Sequence, residues 1–320
     1  MFCIISNSTD PFFNLAADEY LLKNSREDYL ILGINDRCAV IGKHQAAHRE
    51  TDTRFIQEND IPVVRRISGG GTVFHDRGNL NFSFILNSEE GKQVNFRKYT
   101  KPVIRFLASI GVEAVFEGKN DLRVNGFKIS GNSEHVYHDR VLHHGTLLYD
   151  ADLDMLRDSV RRSIGRYQTK AVGSNPSAVM NLKVVLKDHL SDLPDIYVFR
   201  SMMMEWFLEN IPGAEIGTLP ADATENIKKL AVTKYRSWEW NYAYGPDYYF
   251  VNRFLFMGEE CSCKLFVKEG IIREFEISGP EKLEAAGKHV PGRRHMVDDL
   301  KKIFEGNGLI NSGFDIFSLF

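Results

Sequence analysis

Features typical of membrane, secreted and nucleic-acid-binding proteins are scarce in this sequence. The N-terminal stretch MFCIISNSTDPFFNLAADEYLL has no basic cluster and no long apolar run, so we expect neither a signal peptide nor a membrane span. The 40 basic and 43 acidic residues nearly balance, and a net charge of -3 excludes the basic surface of a general nucleic-acid binder. We therefore expect a cytoplasmic protein with neither nucleic acid nor membrane as a partner.

Cysteine is also scarce, and its spacing excludes several kinds of site. The chain has only 4 cysteines, and they form no CxxC pair. No histidine lies near them at the spacing of a zinc finger. We expect reduced thiols packed as small apolar side chains. The four are Cys3, Cys38, Cys261 and Cys263.

The remaining composition is that of a globular protein with a large core. The chain has 320 residues, of which 43% are hydrophobic, and this length suits one large domain or two. STDPFFNLAADEYLLKN predicts a helix after a short strand, with Thr9 or Asp10 as cap and Pro11 in the first turn. YLILGIND and CAVIGKHQ predict an antiparallel hairpin that turns at Asn35 and Asp36. Three later segments predict helices: RKYTKPVIRFLASIG, DLDMLRDSVRRSIG and DIYVFRSMMMEWFLENI.

A boundary is expected near SWEWNYAYGPDYYFVN, where Gly245 and Pro246 interrupt an aromatic segment. Beyond it, RFLFMGEECSCKLFVKEGIIREFEIS alternates apolar and polar residues across Gly270, which predicts a small antiparallel sheet. RRHMVDDLKKIFEG predicts a closing helix. We therefore predict a first domain over 1–245 and a small accessory domain over 246–320.

The segment RRISGGGTVFHDRGNLNFSF, Arg65 to Phe84, combines two arginines with three consecutive glycines. Glycines let backbone N–H groups approach phosphate oxygens closely. The spacing matches neither GxxxxGK[ST] nor GxGxxG, and the alternating residues after it predict a strand. We expect a β-hairpin that turns over residues 75–78, with one of the two arginines reaching an anion site. The alternative is a tight turn with solvent-exposed arginines.

A second segment, GKNDLRVNGFKISG, predicts another hairpin. Asn-Gly at 125–126 is a strong signal for a two-residue type I′ turn. Counting back from it pairs Val124 with Phe127, Arg123 with Lys128, Leu122 with Ile129, and Asp121 with Ser130. Two cations directly opposite each other repel, and a bound anion would relieve this. The alternative is an ordinary solvated face.

Three segments in this order resemble the signatures of the lipoate-protein ligase A family: RRISGGGTVFHDRGNLNFSF, GKNDLRVNGFKISG and LHHGTLLYDADL. DPFFNLAADEYLL, CAVIGKHQ and SWEWNYAYGP also match. The resemblance implies an α/β (α+β) catalytic domain with mainly antiparallel sheets flanked by helices, similar to biotin ligase and the class II aminoacyl-tRNA synthetase core, and a small α+β C-terminal domain.

The same resemblance implies a two-step reaction. Lipoate and ATP, with Mg2+, give lipoyl-AMP and pyrophosphate, and the acyl group then passes to a lysine of an acceptor protein. The implied acceptors are apo lipoyl domains of 2-oxoacid dehydrogenases and the glycine-cleavage H protein, and the implied state is a monomer. Acyl adenylation needs alignment and charge neutralisation rather than a covalent nucleophile.

The family motifs also imply site residues. Lys128 matches the lysine that contacts both the lipoyl carbonyl and the phosphate, and is the expected catalytic residue. Asp121 is the expected magnesium ligand. The expected lipoate pocket comprises Gly71, Lys128, His144 and Gly145. The expected nucleotide site comprises Arg66, Ser68, Gly69, Gly70, Gly71, Thr72, Val73, Phe74, Asn79, Asn120, Asp121, Lys128 and Ser130.

One segment departs from the family. Ligases carry a loop of the type Ser-Val-Arg-Ser-Arg-Val-Thr-Asn, whereas this chain has SNPSAVMNL, with Pro176 and Ala178 in place of two arginines. This version resembles lipoyltransferases that use a pre-activated or protein-bound acyl group. A lipoyl or octanoyl transferase without an ATP step therefore stays open, as does a non-catalytic binder of lipoate or nucleotide.

Overall fold

A computed structural model describes residues 1–88, 95–160 and 166–320 of the chain. The strands are β1 (Phe2–Ile5), β2 (Tyr29–Ile34), β3 (Cys38–Ile41), β4 (Val63–Arg65), β5 (Val73–His75), β6 (Asn79–Asn87), β7 (Val115–Glu117), β8 (Asp121–Val124), β9 (Phe127–Tyr137), β10 (Arg140–Leu148), β11 (Tyr167–Thr169), β12 (Glu215–Ile216), β13 (Tyr248–Phe256), β14 (Glu259–Lys268) and β15 (Ile271–Ser278).

The α-helices are α1 (Pro11–Asn24), α2 (Ala47–Glu50), α3 (Thr53–Glu58), α4 (Phe96–Ser109), α5 (Leu153–Ser159), α6 (Leu182–Leu186), α7 (Ile196–Asn210), α8 (Ala221–Leu230), α9 (Glu281–Gly287) and α10 (Val297–Gly306). Short π-helical turns follow α8 at Ala231–Tyr235 and Glu239–Ala243, and 3-10 turns end the chain at Ile310–Ser312 and Ile316–Leu319. Among the described residues, no helix combines the length and apolar character needed to cross a bilayer.

The largest sheet has eight strands in the order β12-β1-β2-β6-β10-β9-β8-β7. Its pairs are antiparallel except β12 with β1 and β1 with β2. Apolar residues on the two faces of this sheet belong to separate cores. One core packs against α4 and α7, and the other packs against α1 and α8. Helices therefore flank a mainly antiparallel sheet, and the predicted fold class is confirmed.

A second sheet of three strands, β4-β3-β5, corrects two predicted hairpins. β2 belongs to the large sheet and β3 to the small one, so the turn at Asn35 and Asp36 joins two sheets instead of closing a hairpin. The turn over residues 75–78 likewise carries the chain from β5 to β6 in the other sheet. Local alternation predicted these strands, but it carries no information about which neighbour each strand pairs with.

The predicted helices are present in the described residues. Asp10 caps α1 by accepting a hydrogen bond from the Phe12 N–H, and Pro11 occupies its first turn. In α7, Phe199, Met203 and Phe207 are buried in the core. α5 ends at Ser159, and residues 161–165 of that predicted helix lie outside the described residues.

A third sheet, β11-β13-β14-β15, forms the C-terminal part with α9 and α10 over a core of its own. The small antiparallel sheet and the closing helix are thus present. β11, however, comes from residues before 245 and pairs with β13. The domain division at residue 245 stays a prediction.

Candidate active site

A cavity of about 690 Å³ lies on the α1 side of the large sheet. Apolar residues such as Leu15 and Ile31 line it together with polar ones such as Asp18 and Ser83. The segment between β4 and β5 forms one wall, and the β8–β9 hairpin forms another. Such a mixed lining suits a ligand with an apolar chain and a charged end.

The glycine segment between β4 and β5 presents backbone to this cavity. Gly70 has a φ of 88°, in the left-handed region that favours glycine. Within the described residues, no backbone hydrogen bond engages the N–H of Gly70 or Gly71. Both N–H groups are therefore available to an anion.

Arg66 holds this glycine segment in shape. Its side chain donates to the carbonyl oxygens of Val40 at 3.1 Å, of Gly71 at 2.8 Å and of Gly69, and to Ser68 Oγ at 3.1 Å. Burial lowers the pKa of Arg66 to about 10, so it stays charged at neutral pH. Arg66 thus binds the carbonyl oxygens of the glycine segment, which leaves the N–H groups of that segment directed away from Arg66.

Arg65 lies on the other side of the strand and is 0% exposed. It donates to the carbonyl oxygens of Gly42, Gln45, Trp240 and Asn241 at 2.6 to 3.0 Å. Burial lowers its pKa to about 10. The alternative of two solvent-exposed arginines is wrong, because both are buried and bonded to backbone.

Lys128 faces the cavity beside an acidic partner. Its Nζ lies 2.8 Å from Asp121 Oδ1, and Arg123 Nη2 lies 3.2 Å from Asp121 Oδ2. All three line the cavity. Arg123 Nε also lies 3.5 Å from Glu117 Oε1, so the two cations are paired with two carboxylates, and Lys128 and Arg123 still present partly exposed cationic groups to an anionic ligand.

The hairpin that carries Lys128 corrects the predicted register. Asn125 and Gly126 have φ of 51° and 79°, as a type I′ turn requires. The pairs next to the turn are confirmed: Val124 with Phe127 and Arg123 with Lys128. Beyond a bulge, Leu122 pairs with Ser130 instead of Ile129, and Asp121 pairs with Gly131 instead of Ser130.

This bulge decides what lies next to the lysine. A Cβ at Gly131 would be 3.1 Å from Lys128 Nζ. Ser130 is instead 0% exposed, and its Oγ accepts a hydrogen bond from Asn132 Nδ2 at 3.2 Å. The lysine thus has room because a glycine, and not a serine, is its neighbour.

A hydrogen-bonded chain of side chains lies behind the glycine segment. His144 Nδ1 is 3.0 Å from Asp18 Oδ2, and His144 Nε2 is 2.6 Å from Ser68 Oγ. Since the carboxylate only accepts, Nδ1 carries the proton and Nε2 accepts from Ser68. Ser68 Oγ in turn accepts from Arg66. The chain links the sheet, α1 and the glycine segment.

His143 faces the opposite side of β10, as alternation predicts. It is 0% exposed, and its Nδ1 is 2.9 Å from Glu134 Oε1. Burial lowers its pKa although Glu134 opposes that shift. The adjacent histidines therefore have separate partners on separate faces.

The structure brings ten of the predicted site residues to the cavity wall. They are Arg66, Gly70, Gly71, Thr72, Val73, Asn120, Asp121, Lys128, His144 and Gly145. Five others do not line the cavity. They are Ser68, Gly69, Phe74, Asn79 and Ser130. The Phe74 side chain packs in the small core with Ile41 and Val63, on the far side of its strand. The roles of all fifteen stay predictions.

Several polar residues of the cavity were missed from the sequence, among them Asp18 and His75. Asp18 lies on the buried face of α1 and accepts hydrogen bonds from His144 and from Ser83 Oγ. A carboxylate among alanines and leucines on that face was a signal that could have found it. His75, taken as a turn residue, lines the cavity, and its Nε2 has no hydrogen-bond partner within the described part of the chain.

Residues 172–180, which we call the strap, run across the cavity between its two walls. At one end, Ser174 Oγ accepts a hydrogen bond from the Thr72 N–H at 2.9 Å. At the other, the Lys128 N–H donates to the Ala178 carbonyl at 2.9 Å, and the Met180 N–H donates to the Lys128 carbonyl at 3.0 Å. The strap thus links the glycine segment to the lysine strand.

Comparison with known families and sequences gives a consistent result. The family described as lipoyl protein ligase A/B catalytic domain matches residues 10–207. The chain is 37% identical to lipoate–protein ligase 1 of Staphylococcus aureus, covering 86% of this chain and 83% of that protein. It is 34% identical to the lipoate-protein ligase LplJ of Bacillus subtilis, covering 85% and 82%.

Solved structures share the fold. A putative lipoate protein ligase from T. acidophilum with bound lipoic acid is 25% identical, with a TM-score of 0.62 over 75% of this chain and 98% of that one. A bipartite lipoate protein ligase studied with its E2 lipoyl domain is 24% identical, with a TM-score of 0.62 over 75% and 95%. A lipoate-protein ligase A bound with ATP is 24% identical, with a TM-score of 0.64 over 75% and 97%.

Proposed function

The chain belongs to the family of lipoyl protein ligase A/B catalytic domains and is an enzyme of the lipoate-protein ligase type, and from this membership we propose a two-step reaction. The enzyme activates lipoate with ATP and transfers the lipoyl group to a lysine of an apo lipoyl domain. The observation that carries the proposal is the meeting of Lys128 and the glycine segment on one cavity.

In the first step, a carboxylate oxygen of lipoate attacks the α-phosphorus of ATP. The bond from that phosphorus to the β-phosphate oxygen breaks, and pyrophosphate leaves with the electron pair. No base is needed, because lipoate is ionised at neutral pH. Lys128 neutralises the carboxylate and the α-phosphate as they approach, and the N–H groups of Gly70 and Gly71 bind phosphate oxygens.

In the second step, the amine of the acceptor lysine attacks the acyl carbon. The bond from that carbon to the AMP oxygen breaks, and AMP leaves with the electron pair while the amine proton passes to solvent. Lys128 stabilises the charge that develops on the acyl oxygen and the phosphate. The strap and the apolar lining exclude water, which would hydrolyse the adenylate.

We assign the Mg2+ ligand to Asp121. Mg2+ at phosphate sites is held by one or two carboxylates together with phosphate oxygens, and the Asp121 carboxylate on the cavity wall beside Lys128 fits this pattern. Among the described residues, no group of three or more histidine, cysteine or acidic side chains could hold a metal alone. When bound, the ion neutralises phosphate charge.

The remaining cations support ATP use despite Pro176 and Ala178. Lys119 and Arg123 line the cavity besides Arg66 and Lys128. Arg123 supplies positive charge at the strap, since its Nη2 donates to Ser177 Oγ at 2.9 Å, where the related ligases have two arginines. The proposal further places the enzyme in the cytoplasm, because the acceptors are themselves soluble metabolic proteins. It also includes the glycine-cleavage H protein as an acceptor and a monomeric enzyme.

The decisive experiment is lipoate-dependent exchange of labelled pyrophosphate into ATP by the purified protein with Mg2+. We expect exchange that requires lipoate, because adenylation is reversible. Absence of exchange, together with modification of an apo lipoyl domain from an octanoylated donor protein, would establish the transferase alternative. That alternative is favoured by the two missing arginines of the strap.

A further inference from the structure

We propose that Glu50 is a positioning residue that fixes the strap over the cavity before any ligand binds. The proposal rests on the proposed function, because it concerns the site where lipoate and ATP meet. Glu50 ends α2 and is only 2% exposed. It lies outside the cavity lining and acts through Ser174.

The contacts of Glu50 are concentrated on one oxygen. Oε2 accepts hydrogen bonds from the Ser174 N–H at 3.0 Å, from Ser174 Oγ at 2.5 Å and from Gln45 Nε2 at 2.9 Å. Hydrogen bonds to an ionised acceptor are stronger than neutral ones, and burial strengthens them further. A buried carboxylate is costly to desolvate, so it is retained only where such bonds compensate it.

Ser174 connects Glu50 to the glycine segment through hydrogen bonds. Its Oγ accepts from the Thr72 N–H at 2.9 Å, while Thr72 Oγ1 donates to Gln45 Oε1 at 3.0 Å. A Cβ at Gly71 would lie only 3.2 Å from Ser174 Oγ, so the strap and the glycine segment are in direct contact. Glu50, Gln45, Ser174 and Thr72 form one closed network.

The neighbouring residue secures the same stretch. Arg49 Nη1 donates to the Ala171 carbonyl at 2.8 Å, and the Val172 N–H donates to the His44 carbonyl at 3.1 Å. α2 and the residues before it thus hold 171–174 at several points. Pro176 restricts the next turn of the strap, because its ring fixes φ.

These contacts offer a physical substitute for the missing arginines. A strap that is ordered only when arginines meet phosphate must lose its conformational entropy upon binding. A strap anchored on Glu50 and stiffened by Pro176 has lost that entropy on folding. The chain therefore gains affinity for the adenylate by preorganisation, in addition to the charge of the cations that line the cavity.

The test measures strap order without any ligand, by hydrogen exchange of peptides covering 171–180 in the full-length protein. We compare the wild type, Glu50→Gln, Ser174→Ala and the double variant. Glu58→Gln is the matched control, because Glu58 is an exposed glutamate at the end of the next helix. We expect both single variants to speed exchange of the strap about tenfold or more, and Glu58→Gln to leave it unchanged.

The double variant is the discriminating measurement. Because Glu50 and Ser174 belong to one hydrogen-bond network, the double variant should speed exchange by less than the product of the two single effects. Multiplying effects of the two changes, or a strap that already exchanges as fast as an unfolded peptide in the wild type, would overturn the proposal. If Glu50→Gln does not fold, the wild type and Ser174→Ala decide it, since Ser174 lies on a partly exposed segment.

Kinetics give a second readout in lipoate-dependent pyrophosphate exchange. We expect the KM for ATP to rise about tenfold in Glu50→Gln with kcat nearly unchanged, because ordering of the strap then accompanies binding. A loss confined to kcat contradicts a positioning role. If the wild type shows no pyrophosphate exchange at all, the proposed function fails while hydrogen exchange still decides the role of Glu50.

Discussion

At the scale of single residues, charge in this site is divided between shape and chemistry. The guanidinium groups of Arg65 and Arg66 both donate hydrogen bonds to backbone carbonyl oxygens and so hold loops in place. Lys128 is bonded to Asp121 alone among the ion pairs of the described residues, and it is 22% exposed to the cavity side. Lys128, unlike Arg65 and Arg66, is a cation that a ligand can reach.

We therefore predict that Lys128→Ala lowers kcat/KM for lipoylation of an apo lipoyl domain by about 100-fold or more, as removal of one preorganised donor does elsewhere. Its free energy of unfolding should change by less than about 1 kcal/mol, because a partly exposed ion pair contributes little. Activity and urea unfolding should be measured together. Lys268→Ala, at an exposed lysine on β14, is the control; equal turnover of both variants would remove Lys128 from the mechanism.

At the scale of elements, the β-bulge in β9 is the feature that prepares the lysine. It replaces the predicted neighbour Ser130 by Gly131 and leaves the space in which the lysine end group sits. A bulge that re-aims a side chain beside an active site is a recurrent device. A small substitution next to Lys128 should therefore lower kcat more than it lowers the stability of the fold.

We predict that Gly131→Ala displaces the Lys128 ammonium and lowers kcat about tenfold or more, because small misplacements of a catalytic group are costly. The melting temperature should shift only slightly, since the close contact is with the end of a flexible side chain. Gly306→Ala, where nothing lies within 4 Å of the added Cβ, is the matched control. A fully active Gly131→Ala enzyme would show that the bulge does not set the position of Lys128.

At the scale of the whole molecule, burial of histidines couples stability to pH. Burial lowers the pKa of His75 to about 3, with Arg66 and His144 adding to the shift. His75 is 6% exposed, and its Nδ1 is 2.9 Å from Asn35 Nδ2. Above a pH of about 6.5, His75 is neutral in both states and contributes nothing to the pH dependence.

Below that pH, His75 binds a proton in the unfolded chain but stays neutral in the native state, because burial lowers its pKa. The free energy of unfolding should therefore fall as pH drops from about 6.5 towards 3, by about 1.4 kcal/mol per pH unit from this histidine. Urea unfolding at pH 7, 6 and 5 should show a shallower slope for His75→Gln. His289→Gln, at an exposed histidine, should keep the wild-type slope; identical slopes for all three proteins would refute the assignment.

Much of the fold and the candidate site was predictable from the sequence. The cap at Asp10, the type I′ turn at Asn125 and the separation of His143 from His144 follow from local rules of capping, turn chemistry and alternation. The ordered motifs predicted the family and placed Lys128 and the glycine segment in one site. Asp18 and Glu50 were missed because their partners are distant in sequence.

The sequence by itself thus determined the elements, their caps and turns, and the residue types available for chemistry, because these depend on neighbours along the chain. Only the tertiary structure decided that β2 and β3 part into different sheets, that a bulge brings Gly131 beside Lys128, and that Arg66 faces loop carbonyls. The physical reason is that strand pairing and burial are settled by the free energy of the whole core. The propensity of a short segment contains no information about that free energy.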